Sequence, residues 1–146
     1  MKPSLSVEIS QRYLKMALMR PQASTPEFIV EAVTDLSDRE ISDLVSQAMR
    51  RMKLKSVEAK ISIPRNMVTV KNLHLPSKDP KEIEQMIDLH IGRLVPFKKE
   101  EILFGHQFLG VDNSGYADEM LAIVRQDIAR RPHRILESAG VSVDKV

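Results

Sequence analysis

The chain has 146 residues, 42% of them hydrophobic and 29% charged, enough for one packed domain or for one domain and part of another. A net charge of +2 and only 4% aromatic residues argue against nucleic-acid binding, which draws on basic surfaces and base-stacking rings. The chain has no cysteine and no apolar run of spanning length, and no signal-peptide core follows Met1. Disulfides, thiolate metal sites and direct membrane insertion are therefore not expected, and a soluble chain in a reducing cytoplasm is.

Leu5, Val7 and Ile9 alternate with Ser6 and Glu8, which predicts a first strand closed by a turn at Ser10-Gln11. Tyr13 to Met19 is apolar in both phases, the pattern of a strand inside a sheet. Two prolines and small polar residues make Arg20 to Pro26 a loop, and Glu27 to Leu36 reads as a third strand. Ser37 with Glu40 three residues on is a capping box, with Leu36 and Ile41 spaced for a hydrophobic staple. Ile41, Leu44, Val45, Ala48 and Met52 form the apolar stripe of the helix that follows, and Val57 to Ile63 is a fourth strand. This β-β-β-α-β order is a meander followed by a crossover.

The stretch from Ile61 to Phe97 reads as strand, turn, strand and helix. Val68 and Val70 share one phase while Leu73 and Leu75 share the other, which predicts a bulge near Asn72. Asp79 is the expected cap of a second helix, with Pro80 at its first position and Glu82 completing a capping box. Ile83, Met86, Ile87, Ile91 and Leu94 make its stripe, and Val95-Pro96 ends it. Ile87 and Leu94 are expected to pack on Val68 and Val70. A hairpin follows, from Glu101 to Val111 and from Met120 to Val124, around Asp112-Asn113-Ser114-Gly115. Ile128 to Ala139 is a last helix ended by Gly140, with Pro132 either inside it or at its first position. Val141 to Val146 reads as the start of another strand, so that the chain looks like a fragment or a protein shorter than its relatives.

No Walker loop, GxGxxG or HExxH is present. His74, His90, His106 and His133 lack helical ligand spacing, and His90 reads as a half-buried structural histidine. Glu100 and Glu101 are adjacent and point to opposite faces of a strand, which removes a joint acid–base role. Arg125, Arg130, Arg131, His133 and Arg134 form a basic cluster, read first as a solvated face and next as a surface for an acidic protein. Met49, Met52, Met67 and Met86 read as plain core rather than as an adaptable groove.

Ile63-Pro64, Leu75-Pro76, an acidic helix ending in Val95-Pro96-Phe97, and the hairpin followed by Leu136-Glu137-Ser138-Ala139-Gly140 together carry a family likeness. Their spacing resembles the type IV pilus assembly protein PilM and, more loosely, the cytoplasmic part of the type II secretion protein GspL. Both are similar to the cell-division protein FtsA. The resemblance implies an α+β (α/β) fold, the N-terminal part of an actin-like protein. Residues 1–60 would be the first part of an RNase-H-like subdomain that residues 141–146 re-enter. Residues 61–140 would be an inserted SHS2-type module of strand, helix, strand and strand.

The resemblance also implies function: a non-catalytic scaffold on the cytoplasmic side of a pilus or secretion platform. Its partner would be a cytoplasmic N-terminal peptide of a bitopic membrane protein, docked between the two subdomains. Leu94, Pro96 and Phe97 are the candidate partner-binding residues on that reading. The alternative is an actin-like ATPase fragment, since full-length relatives can bind ATP, and a small nucleic-acid-binding domain is a third reading. The departures oppose the ATPase. The family's phosphate loop is of the Asp-x-Gly-Ser type, whereas the matching positions here are Glu8, Ser10 and Gln11, and Gly92 is the first glycine of the chain. A phosphate cradle needs backbone N–H groups close to oxygen, which glycine permits. No cofactor and no metal site is expected.

Overall fold

The computed structural model describes residues 2–145. In chain order the elements are β1 (Ser4–Ile9), β2 (Tyr13–Met19), β3 (Glu27–Ala32), α1 (Asp38–Arg51), β4 (Glu58–Ser62), β5 (Thr69–Leu75), α2 (Pro80–Leu94), β6 (Ile102–Val111), β7 (Ala117–Arg125), α3 (Gln126–Ser138) and β8 (Ser142–Lys145). They form two compact units, one of Met1–Arg65 with Ala129–Val146 and one of Asn66–Ile128.

In the first unit the sheet order is β3-β2-β1-β4-β8. The first three strands are antiparallel, while β4 runs parallel to both β1 and β8. This is the expected meander and crossover. Alternation does the work along each strand. Leu5, Val7 and Ile9 on β1 and Leu14, Met16 and Leu18 on β2 are buried with Ile41, Val45 and Ala48 of α1 and Ile135 and Leu136 of α3. The start of α1 is as the sequence predicts: Ser37 Oγ accepts the Glu40 amide at 3.3 Å, and Glu40 Oε2 accepts the Ser37 amide at 2.7 Å. β3 is shorter than expected because the chain turns after Ala32. The Leu36 amide bonds the Val33 carbonyl at 3.1 Å, and Asp35 takes φ +63°.

The second unit is a three-stranded antiparallel sheet of order β5-β7-β6, with α2 on one face. Ile83, Ile87 and Ile91 of α2 bury themselves with Ile102, Ala117, Leu121 and Ile123. Asp79 caps α2 by accepting the Lys81 amide at 2.9 Å. Glu82 does not complete a capping box, because its carboxylate accepts the Ser77 hydroxyl instead. The expected bulge near Asn72 is absent: β5 pairs with β7 one to one from Thr69↔Ile123 to Leu75↔Ala117. Leu73 and Leu75 therefore face the α2 core, and Val70 lies on the opposite face of the sheet. From β5 it is thus Leu73 and Leu75, not Val68 and Val70, that join the core holding Ile87 and Leu94.

Two further expectations change. The sequence divides the chain at 61 and 140, whereas packing divides it at Asn66 and Ile128, because Ile61 on β4 and Ile135 and Leu136 on α3 are buried in the first core. α3 begins at Gln126 and runs through Pro132, which is buried. It ends at Gly140, with φ +77°, where the Val141 amide returns to the Leu136 carbonyl at 2.9 Å. Val146, the last position of the expected final strand, lies outside the described residues.

Candidate functional site

The first candidate is the turn between β1 and β2. Ser10 closes it on itself. Its amide donates to the Tyr13 carbonyl at 2.9 Å, and its hydroxyl oxygen accepts the amides of Arg12 at 3.2 Å and Tyr13 at 3.0 Å. Glu8, on β1, pairs with Lys15 on β2 at 2.9 Å, and Gln11 is exposed. The donors that a phosphate loop directs outward are here directed at a serine side chain. Glu8, Ser10 and Gln11 thus make a tight hairpin turn with an ion pair across its base.

The second candidate is the end of α2. Val95 leaves the helix in extended conformation, as the proline after it requires, and is buried. Leu94 and Phe97 are half-buried against the second core, and Pro96 is exposed. The Arg125 guanidinium stands 5.5 Å from the centroid of the Phe97 ring, a cation–π distance. Arg125 also donates to Asp127 at 2.7 Å. The three residues fall within the four positions 94–97, and they offer an exposed proline near two half-buried apolar side chains.

The other sequence candidates resolve into ordinary contacts. Arg131 binds Asp38 at 2.9 Å, and His133 faces Glu137 at 3.4 Å along α3. His90 is exposed rather than half-buried, because it sits beside the apolar stripe, with Nδ1 2.7 Å from the Met86 carbonyl of the preceding turn. Met49 and Met52 belong to the first core, and Met67 and Met86 are half-buried. Glu101 caps a short turn by accepting the Lys98 amide at 2.9 Å. Among the described residues no group of three or more His, Cys, Asp or Glu is arranged to hold a metal ion, and no helix is long and apolar enough to cross a membrane.

Three features were not foreseen. Glu119 is 2% exposed, and its Oε2 lies 2.9 Å from His106 Nδ1. The sequence pattern starts the second hairpin strand at Met120 and so leaves Glu119 outside it; β7 begins at Ala117, and the register of β6 on β7 sets Glu119 beside His106. At the hairpin tip His74 stacks on Tyr116 at 4.9 Å, between Asp118 at 2.7 Å and Asp112 at 3.3 Å. In the first unit a cavity of about 430 Å³ lies between α1 and α3, lined by Asp38, Arg39, Ser42, Arg134 and Ser138 among others.

The family described as "Type IV pilus assembly protein PilM" matches residues 8–146. Among solved structures, the chain is similar to one titled "PilM-PilN type IV pilus biogenesis complex", with 16% identity and a TM-score of 0.77, over 96% of this chain and 45% of that one. It is also similar to the cytoplasmic domain of Epsl, an inner membrane component of the type II secretion system of Vibrio cholerae. There the identity is 15% and the TM-score 0.65, over 97% of this chain and 55% of that one. The chain spans about half the length of these structures, and at such identities the likeness is one of fold. No curated protein matches the chain.

Proposed function

The chain belongs to the type IV pilus assembly protein PilM family, and from that premise we propose that it is a non-catalytic interaction module of a pilus or secretion platform. It works on the cytoplasmic side of the inner membrane and reaches the membrane only through its partner. The partner is a membrane protein of the PilN kind, which presents a short, partly apolar N-terminal segment. The observation that carries this reading is the shared fold with the structure titled as a PilM–PilN complex. The β1–β2 turn supports the non-catalytic part, since the Arg12 and Tyr13 amides are taken up by the Ser10 hydroxyl.

We assign the segment's apolar anchors to the end of α2, where Pro96 is exposed between Leu94 and Phe97. An extended segment laid there gains apolar contact on groups that are already held in position. Its affinity is on the order of micromolar, because a flexible peptide must be ordered as it binds. Titrating synthetic N-terminal peptides of pilus and secretion membrane proteins, read by amide chemical shifts, tests this. Saturable shifts at Leu94 and Phe97 are expected, weakened by Phe97→Ala. Shifts confined to Arg130 and Arg134 would overturn the site, and no shift with any peptide would overturn the function.

A further inference from the structure

β6 is an edge strand of the second unit's sheet, ten residues long. An open edge presents unpaired N–H and C=O groups, so edges are normally kept short or guarded by charges or proline. The other edges follow that rule. β3 carries Glu27 and Glu31, paired with Arg20 and Arg51, β5 carries Lys71, and β8 has four residues including Asp144. From Ile102 to Val111, β6 has no Asp, Glu, Lys, Arg or Pro. Its apolar side chains are exposed on both faces: Phe104 is 37% and Phe108 54% exposed on one, and Leu103 is 43% exposed on the other. Leu109 follows at 55%, at the register shift between Phe108 and Gly110. A Cβ added at Gly105 or Gly110 would meet no atom within 4 Å.

We propose that β6 is a homotypic docking edge, on which β6 of a second copy pairs antiparallel about a two-fold axis. Two three-stranded sheets then become one of six strands. The sequence of the strand selects this occupant. In a two-fold pairing each residue meets a residue of the same strand, so a charge of one sign tends to oppose its like. β6 is the edge where no such opposition arises. Centred on His106, the pairing sets Phe104 opposite Phe108 of the other copy, twice, and brings Leu103 toward Leu109. Aromatic cross-strand pairs are among the favourable ones. His106 meets its twin, each ring held by its own Glu119. A charged foreign strand would find no complementary charge there.

Ten residues extend about 33 Å, and a sheet is about 10 Å thick, so the contact buries roughly 600–700 Å² in total. This is below the roughly 1,200 Å² of a standard stable interface, so the dimer is a dissociating one. Sedimentation velocity of the chain over a wide concentration range should show the average mass rising toward twice the monomer. Amide exchange at Leu103–Leu109 should slow over the same range, a readout that needs no substitution. Phe104→Lys with Phe108→Lys in one chain should leave a monomer, as should the corresponding Glu pair. Mixing the two variants should restore the dimer, because each Lys then meets a Glu. A mass constant with concentration together with unchanged β6 exchange overturns the proposal. So does a dimer that survives the double Lys variant, or β6 exchange that slows only when a peptide is added.

Discussion

Ile87→Ala measures how much of the second unit rests on the α2 stripe. Ile87 is 0% exposed, and its core neighbours include Ile83, Ile91, Leu121 and Ile123. The substitution deletes three carbon groups, worth about 0.8 kcal/mol each in transfer free energy. A cavity of about 40 Å³ left after partial collapse adds about 1 kcal/mol at roughly 24 cal/mol per Å³. The expected loss is therefore about 3–4 kcal/mol. A unit of about 60 residues has a total stability of only about 3–9 kcal/mol, so much of it would go. Urea unfolding followed by circular dichroism gives the midpoint. Each unit holds one tyrosine, so a Tyr13→Phe background leaves Tyr116 emission to report the second unit and a Tyr116→Phe background leaves Tyr13 to report the first. The control is Leu89→Ala on the same helix, where Leu89 is 77% exposed and the change should stay within about 0.5 kcal/mol. A loss under about 1 kcal/mol for Ile87→Ala, or equal losses for the two variants, would mean that the stripe is not the core.

Ser37→Ala removes the α1 cap and should cost about 1 kcal/mol in the same urea experiment, with Tyr13 as reporter. The Ser37 amide, then the Ser37 hydroxyl, hold the Glu40 carboxyl below its usual 4.5, so the folded state binds fewer protons there than the unfolded one. Its contribution to stability is present above about pH 4.5 and is lost as pH falls through the lower folded value, so Glu40→Gln should flatten the acid limb of a stability–pH curve. The Tyr116 amide, with lesser help from Ser114 and His74, likewise holds Asp112 below its usual 3.8, and Asp112→Asn should flatten that limb at still lower pH. Mg-ATP should bind no tighter than about 1 mM, or about −4 kcal/mol, and a micromolar constant by calorimetry would return the chain to the nucleotide-binding reading.

Local chemistry was legible where it is self-contained. Ser37 with Glu40, Asp79 before Pro80, and Gly140 after a periodic stripe each settle a backbone problem within four residues, and all three lie where the sequence puts them. What depends on a second element was not legible. Val70 and Leu73 both alternate with polar neighbours, and only the pairing with β7 decides that Leu73 faces α2. Ile135 and Leu136 read as a stripe for any core, and nothing in α3 says that it serves the first sheet rather than the second. Leu89 and His90 sit beside the stripe of α2, yet the helix is wide enough to leave both exposed.

The same limit explains why the candidate surfaces were read unevenly. Val95-Pro96 marks the end of α2 in the sequence itself, while Leu94, Pro96 and Phe97 stand as partner-binding candidates only through the family resemblance. β6 drew no notice, because Ile102, Phe104, His106 and Phe108 share a phase, and a shared apolar phase is ordinarily the mark of a buried face. The helix above the sheet covers the strand only in part: Ile102 is 4% exposed and Phe108 54%. Alternation reports which side chains share a face, but whether that face is covered depends on how far the opposing helix reaches. Apolar residues beyond that reach are either a cost to solubility or a contact surface. An edge ten residues long with no charge to guard it favours the second.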